Sequence, residues 1–340
     1  MSGGADGSGS TESTESTERT ESTDVVAEVR RACRRVAAES VHVTIDDERL
    51  DSFARSIATD GARGPSVDPD YFFLGGPEET AAYVLTFTAV NFGSGWHPHV
   101  RKVPGRSGSI TMMTRLTERF RRGGPIGAEE LAAMTPGRAA VIFDQPLDPP
   151  VDELMALFAR GLSQLGRLLL DGFDGSVAAL IESAEHSAVR LAGVLLAMPM
   201  FADVATYHGF AVPMLKRAQI AGADLSAALG GQGLGRFDDL DRLTIFADNL
   251  VPHVLRVEGV LRYRAELVAR IDAGELIPAG SEEEVEMRAC AVESVERMVA
   301  LLRAEGHAVT AVGLDYVLWS SGQAPRYKAR PRHRTRTWFY

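Results

Sequence analysis

An aspartate set inside an apolar run is the first feature of this chain that asks for chemistry. Asp248 lies in residues 243–263, LTIFADNLVPHVLRVEGVLRY, with Pro252 four positions on and amphipathic spacing resuming through Val254, Leu255, Val260 and Leu261. A carboxylate in such a run is costly to bury unless it is paired or put to use. Two readings stay open: Asp248 works in a site, or it caps a helix that begins near Asn249. A glycine cluster just upstream, Gly230, Gly231, Gly233 and Gly235 in LGGQGLGRF, suits a tight turn between helices. The basic pair Lys216 and Arg217 precedes both.

Other chemistries find less support. His97-Pro98-His99 is an HxH pair, but there is no HExxH, no CxxC and no clear third ligand, so no metal site is expected. GGQGLG lacks the GK[ST] ending of a phosphate loop and the strict GxGxxG spacing after a strand. No GxSxG elbow presents a serine nucleophile. Glu282 and Glu283 read as the acidic first turn of a helix, favoured by its dipole, which leaves Glu286 and Arg288 unexplained. Phe92 and Trp96 are either core or a sandwich for a flat ring, where stacking contributes roughly 1–3 kcal/mol per base. The chain closes on Arg332, His333, Arg334, Thr335, Arg336 and Thr337 before Trp338, Phe339 and Tyr340. So aromatic an end is expected to dock on the body and bring its arginines to a defined place; the alternative is a solvated basic tail.

The elements that must position these groups are mostly helices. At 340 residues, 45% of them hydrophobic, the chain can bury a sizeable core. A net charge of −10 argues against a broad nucleic-acid-binding face, so phosphate must be handled by a local cluster of Lys and Arg. Cys33 and Cys290 both fall in helical patterns and read as buried thiols of a reducing compartment. With no signal-peptide pattern and no apolar run near the roughly 20 residues a bilayer needs, a soluble, cytoplasmic protein is expected.

Residues 1–24 repeat Gly, Ser, Thr and Glu, cannot build a core, and are expected to be a disordered tail ahead of one domain over residues 25–340. Helical spacing is present at residues 25–40, 50–57, 110–121, 128–134, 148–172 and 177–198. Residues 281–303 form the clearest helix, with a Ser281/Glu284 capping box and a stripe of Val285, Ala289, Val292, Val295, Val299 and Leu302. Residues 81–90 fit either a short strand or a buried helix, which leaves a small mixed α/β subregion over residues 71–96. Regular strand–helix alternation is missing, so the fold class is mostly α.

Taken in order, the stretches VNFGSGW, ESAEHSAVRL, LKRAQI, LTIFADNLVP, VLRVEGVLRY, GSEEEVEMRA, LDYVLW and the closing HRTRTWFY resemble the queuosine salvage proteins, the queuosine 5′-phosphate N-glycosylase/hydrolases. The resemblance covers residues 85–340. It departs at residues 91–96, which are richer in glycine than the family's NFSFW, at Arg264 where Ser is frequent, and at Asn249 where Tyr is frequent. The family implies a fold similar to the helix-hairpin-helix DNA glycosylases, which matches the order helix, glycine turn, helix, Asp.

It also implies the reaction: cleavage of the N-glycosidic bond of queuosine 5′-monophosphate to release queuine, a 7-deazaguanine base reused in tRNA modification. Asp248, in the family's Phe-Ala-Asp, would stabilise the oxocarbenium-like sugar or activate water. Lys216, in KRAQI, would keep that carboxylate ionised or hold the 5′-phosphate. Phe92 and Trp96 become candidates to stack on the base. Glu286 or Asp315 would pair with base N–H groups or with the cationic amine of the queuine side chain. His333, Arg334 and Arg336 would join Lys216 on the phosphate. No cofactor, metal, stable nucleic-acid partner or membrane is implied, and a monomer is expected. The alternatives are a helix-hairpin-helix base-excision glycosylase acting on polynucleotide, or a non-catalytic queuine- or queuosine-binding protein.

Overall fold

The computed structural model describes residues 1, 24–58 and 67–340. The tail expected over residues 1–24 therefore lies, apart from its two end residues, outside the described residues. Asp24 already belongs to the body: its carboxylate accepts from Val26 N (3.1 Å) and Ala27 N (3.0 Å) and caps α1, Val25–Glu39. A short strand β1 (Val43–Ile45) leads into α2 (Asp47–Ala58).

Next comes α3 (Pro77–Thr88), and it decides the ambiguous stretch: residues 71–96 contain no strand. Every residue from Thr80 to Thr88 is buried, so the helix has no polar face whose period could be read. Proline at its first position supports the start, and Glu79 accepts from Gly76 N (2.9 Å). The expected mixed subregion is corrected accordingly; the strands lie elsewhere.

Four helices come next: α4 (Gly108–Gly123), α5 (Ala128–Ala132), α6 (Pro136–Phe143) and α7 (Val151–Phe173). Along α7 the helical spacing places Leu154, Leu157, Phe158, Leu162, Leu165 and Leu169 on one apolar side; all but the partly buried Leu157 are buried, and the helix packs on α5 and α6. The helical spacing over residues 177–198 is split into α8 (Val177–Glu182) and α9 (Ala188–Leu195) by Glu185 and His186, both in the left-handed region. A hairpin of β2 (Val204–Tyr207) and β3 (Phe210–Pro213) turns through His208 and Gly209, both with positive φ, as two-residue hairpin loops favour.

The site-bearing segment begins at α10 (Lys216–Ala228) and runs into α11 (Leu250–Val257). Between them the glycine cluster does make a tight turn, but two 3-10 turns (Gly233–Gly235 and Leu240–Arg242) and extended chain stand in place of a second helix. Pro252 sits in the first turn of α11, where a missing N–H does no harm. β4 (Leu261–Tyr263) pairs antiparallel with β1, and α12 (Ala265–Asp272), α13 (Glu282–Ala304), α14 (Ala311–Ser321) and α15 (Pro325–Lys328) complete the chain.

The helix expected over residues 281–303 is α13, and all six stripe residues are buried. Ser281 accepts from Glu284 N (3.3 Å), while Glu284 reaches back one residue further than a capping box requires, to Gly280 N (3.1 Å). Helix α13 packs on α1, α2, α11 and α14, and α7 gathers α5, α6 and α8. Helix α10 packs on α3 and α9. The described residues share one continuous apolar core, and no described helix is long and apolar enough to cross a membrane.

Candidate active site

A cavity of about 1020 Å³ opens among the C-terminal end of α3, the start of α4, one face of α10, the start of α11 and α14. Lys216, Ile220, Asp224 and Ala227 line it from α10, a helical i, i+4, i+8, i+11 face. Asp315, Tyr316 and Trp319 line it from α14, and Phe246, Asp248 and Asn249 from the extended segment before α11.

Asp248 caps a helix, as one of its two readings has it, from a place on the cavity wall. Its Oδ1 accepts from Leu250 N (2.7 Å) and Val251 N (3.3 Å) at the start of α11, and the same side chain borders the cavity. Capping orients the carboxylate and aims the positive end of α11 at it. The extended segment is pinned on either side: Phe246 N donates to Asp315 Oδ1 (2.9 Å), and the Ala247 carbonyl accepts from Arg288 Nε (2.9 Å).

Lys216 begins α10 immediately after Leu215, a left-handed residue with φ 52°, and its Nζ donates to Asn91 O (3.2 Å). Burial holds its pKa below the ordinary lysine value, Asp248 pulls it back up, and Arg217 pushes it down. Its neighbour Arg217 does something else: it donates to Ala89 O (2.8 Å), Thr88 O (3.4 Å) and Met200 O, closing the end of α3 between Phe92 and Phe201.

Asp315 lines the cavity, and burial raises its carboxyl to about 7. Asp224 accepts from Tyr316 Oη (2.8 Å), and burial raises it to about 6. Sequence reasoning passed over Asp224, Tyr316 and Trp319. Asp224 was legible in principle, because it lies two helical turns beyond Lys216 on the same face. Arg332 was passed over as a ligand as well; it lines the cavity and is electrostatically coupled to Asp248.

Phe92 and Arg334 line the cavity as expected of substrate-facing residues, and Arg334 also donates to Gly274 O. Four other candidates do not. Trp96 is fully buried away from the cavity, its Nε1 donating to Glu153 (3.0 Å), because the glycine-rich loop folds it into the core. The aromatic side chains that do line the cavity include Phe92, Phe246, Tyr316 and Trp319. Glu286 accepts from Val41 N (3.0 Å), His42 N (2.6 Å), Val43 N (3.0 Å) and Tyr207 Oη (2.9 Å), so it binds the chain entering β1.

His333 is buried outside the cavity lining, away from any phosphate bound there, and desolvation lowers its pKa to about 3. Arg336 points to Trp96 and Glu153, with its guanidinium 5.9 Å from the indole centre. The C-terminal segment does dock: Tyr340 is buried, and its backbone oxygen accepts from Gly93 N (3.0 Å). Cationic side chains at the cavity are Lys102, Lys328, Arg330, Arg332 and Arg334 besides Lys216.

A carboxylate and a buried ammonium facing one aromatic-walled, basic-rimmed cavity are parts suited to a nucleotide whose sugar becomes cationic. Comparison with known proteins points the same way. A family model described as queuosine salvage protein matches residues 73–340. The queuosine 5′-phosphate N-glycosylase/hydrolase of Sphaerobacter thermophilus is 38% identical over 90% of this chain and 96% of its own length. The protein of the same name from Bos taurus is 32% identical over 69% of this chain and 72% of its own. That from Dictyostelium discoideum is 40% identical over 53% and 57%, respectively. With the match running through every cavity-lining element from α3 to the last residue, the chain belongs to the queuosine salvage protein family.

Proposed function

We propose that this protein hydrolyses the N-glycosidic bond of queuosine 5′-monophosphate, releasing queuine and ribose 5-phosphate. The observation that carries the reading is the convergence of Asp248 and Lys216 on a single cavity large enough for a nucleotide. As the bond between C1′ and the base nitrogen breaks, its electron pair leaves with the base and positive charge builds on the sugar. Asp248, held by two backbone N–H groups, stabilises that charge and accepts a proton from the water that adds to C1′. Lys216 sets a positive charge against that of Asp248 or takes a phosphate oxygen.

A 7-deazaguanine carries carbon in place of N7, so the departing anion is stabilised at its pyrimidine ring. The aromatic wall holds the ring plane, and Asp315 or Asp224 accepts from base N–H groups or the side-chain ammonium. Arg332 and Arg334 take the phosphate at the rim. The reaction needs no cofactor, and a cytoplasmic monomer acting on a small nucleotide is the setting this reading implies. A distant kinship of fold with the helix-hairpin-helix glycosylases is part of the proposal: α10, the glycine turn and Asp248 keep the order, with two 3-10 turns where the second helix would stand.

The test is mass-spectrometric detection of free queuine from purified protein given queuosine 5′-monophosphate, with Asp248→Asn alongside. Release by the wild type and a loss of roughly 10²-fold or more in the variant are expected. Equal release by both moves the catalytic role away from Asp248. Tight binding without release by either makes this a binding protein.

A further inference from the structure

Arg288 takes no part in the reaction just described, yet its guanidinium is one of the largest fully buried side chains of the protein. We propose that Arg288 is a positioning residue that sets Asp248 and Lys216 in register with each other across the cavity; this rests on the hydrolase reading of that cavity. It reaches both through the backbone. Toward Asp248, Nε donates to the carbonyl of Ala247, the residue immediately before it (2.9 Å).

Toward Lys216, the fork grips both carboxylate oxygens of Asp203, at 3.1 and 2.5 Å. The backbone carbonyl of Asp203 in turn accepts from Met214 N (2.9 Å) and, more weakly, Leu215 N (3.5 Å), the two residues before Lys216. Leu215 is left-handed, a conformation a bulky residue holds only where its surroundings impose it.

The remaining contacts make the arrangement rigid. Arg288 donates to Glu284 Oε1 (3.4 Å) one turn back on α13, and its face lies 4.5 Å from the ring centre of Tyr340, which itself borders the cavity. Burial works against the charge, but Asp203 and Glu284 more than offset it, so the guanidinium stays ionised. Only a planar fork can serve a carbonyl on one side and a carboxylate bidentately on the other; a lysine ammonium is a point charge and cannot span both.

Arg288→Lys separates charge from geometry. Steady-state release of queuine from queuosine 5′-monophosphate should show kcat reduced about 100-fold, the scale expected of a displacement near 1 Å, with KM within about threefold of wild type. Folding is checked by thermal unfolding, and rates are expressed per folded molecule. A purely structural role would lower the yield of folded protein and leave its kcat unchanged, which overturns the assignment while the hydrolase reading stands. Should Arg288→Lys fail to fold, Asp203→Asn, similar in shape and volume, takes its place, and the same two results decide. A wild type that releases no queuine overturns the hydrolase reading and this assignment together.

Discussion

Asp248 shows how one side chain can be both cap and candidate catalyst. An amide oxygen caps a helix about as well as a carboxylate does, whereas a methyl group does not. Asp248→Asn should therefore keep the thermal stability of the wild type while losing turnover. Asp248→Ala should lose turnover and also about 1 kcal/mol of stability, read from paired unfolding curves. At Asp315 the relevant variable is pH. Burial raises its carboxyl from the ordinary 3.8 to about 7, so between those values the folded protein keeps a proton that the unfolded chain gives up. The folded state then binds more protons than the unfolded one, and stability falls as pH rises through that window. Relative to Asp315→Asn, the wild type should lose about 4 kcal/mol between pH 4 and pH 8, at 1.36 kcal/mol per pKa unit. Unfolding curves for both proteins across that range test this, and a pH-independent gap would contradict it.

Among the elements, α13 organises the interior, and its polar residues are addressed to backbone. Glu286 receives three backbone N–H groups and a phenol, which joins α13 to the start of β1 and to β2. In Glu286→Gln two of those donors face an amide N–H₂ instead of an oxygen. A loss of about 2–6 kcal/mol is expected, with kcat per folded molecule unchanged, because unmet buried donors cost about 1–3 kcal/mol each. The loop of residues 91–96 makes a comparable demand on its glycines. A Cβ on Gly95 would lie 2.4 Å from Thr335 O and 2.9 Å from Arg336 N, atoms of the backbone that cannot swing away. Gly95→Ala should cost about 1–3 kcal/mol. It should also lower turnover, since Asn249, next to Asp248, is held by Ser94 Oγ (3.1 Å) and His333 O (3.3 Å). Loss of stability with unaltered turnover would mean that the loop and the C-terminal segment do not govern the site.

On the scale of the whole molecule the net charge is −10, so the anionic substrate proposed above would have to be drawn in locally, by the cationic side chains that line the cavity. Arg332→Gln should raise KM for queuosine 5′-monophosphate severalfold with little change in kcat. The difference from wild type should shrink as salt shortens the screening length from about 10 Å at 0.1 M toward 3 Å at 1 M. The overall charge also weighs against a polynucleotide substrate, which calls for Lys and Arg spread over one face. Binding of a labelled duplex at 0.15 M salt should be undetectable under conditions that saturate the site with the nucleotide.

Amino-acid pattern alone determined the helical class, the long helix α13 and the docking of the aromatic C-terminal segment, and it singled out Asp248 and the Lys216–Arg217 pair, of which Asp248 and Lys216 line one cavity. These are local matters: periodicity of apolar residues, cap chemistry, and an acid or base stationed in an apolar run. It also carried the family, since distinctive short stretches survive as text. Which way a buried polar residue points was not legible, because a side chain's partner is chosen by what the fold brings against it. Glu286 and Arg288 sit two positions apart on one helix and face different neighbours, a strand entry and the backbone ahead of Asp248. Trp96, Phe92 and Trp319 are all aromatic, and packing decided that the first is core and the others wall. Residues 81–90 were ambiguous for the same reason: a helix enclosed on every side writes no polar face into its sequence.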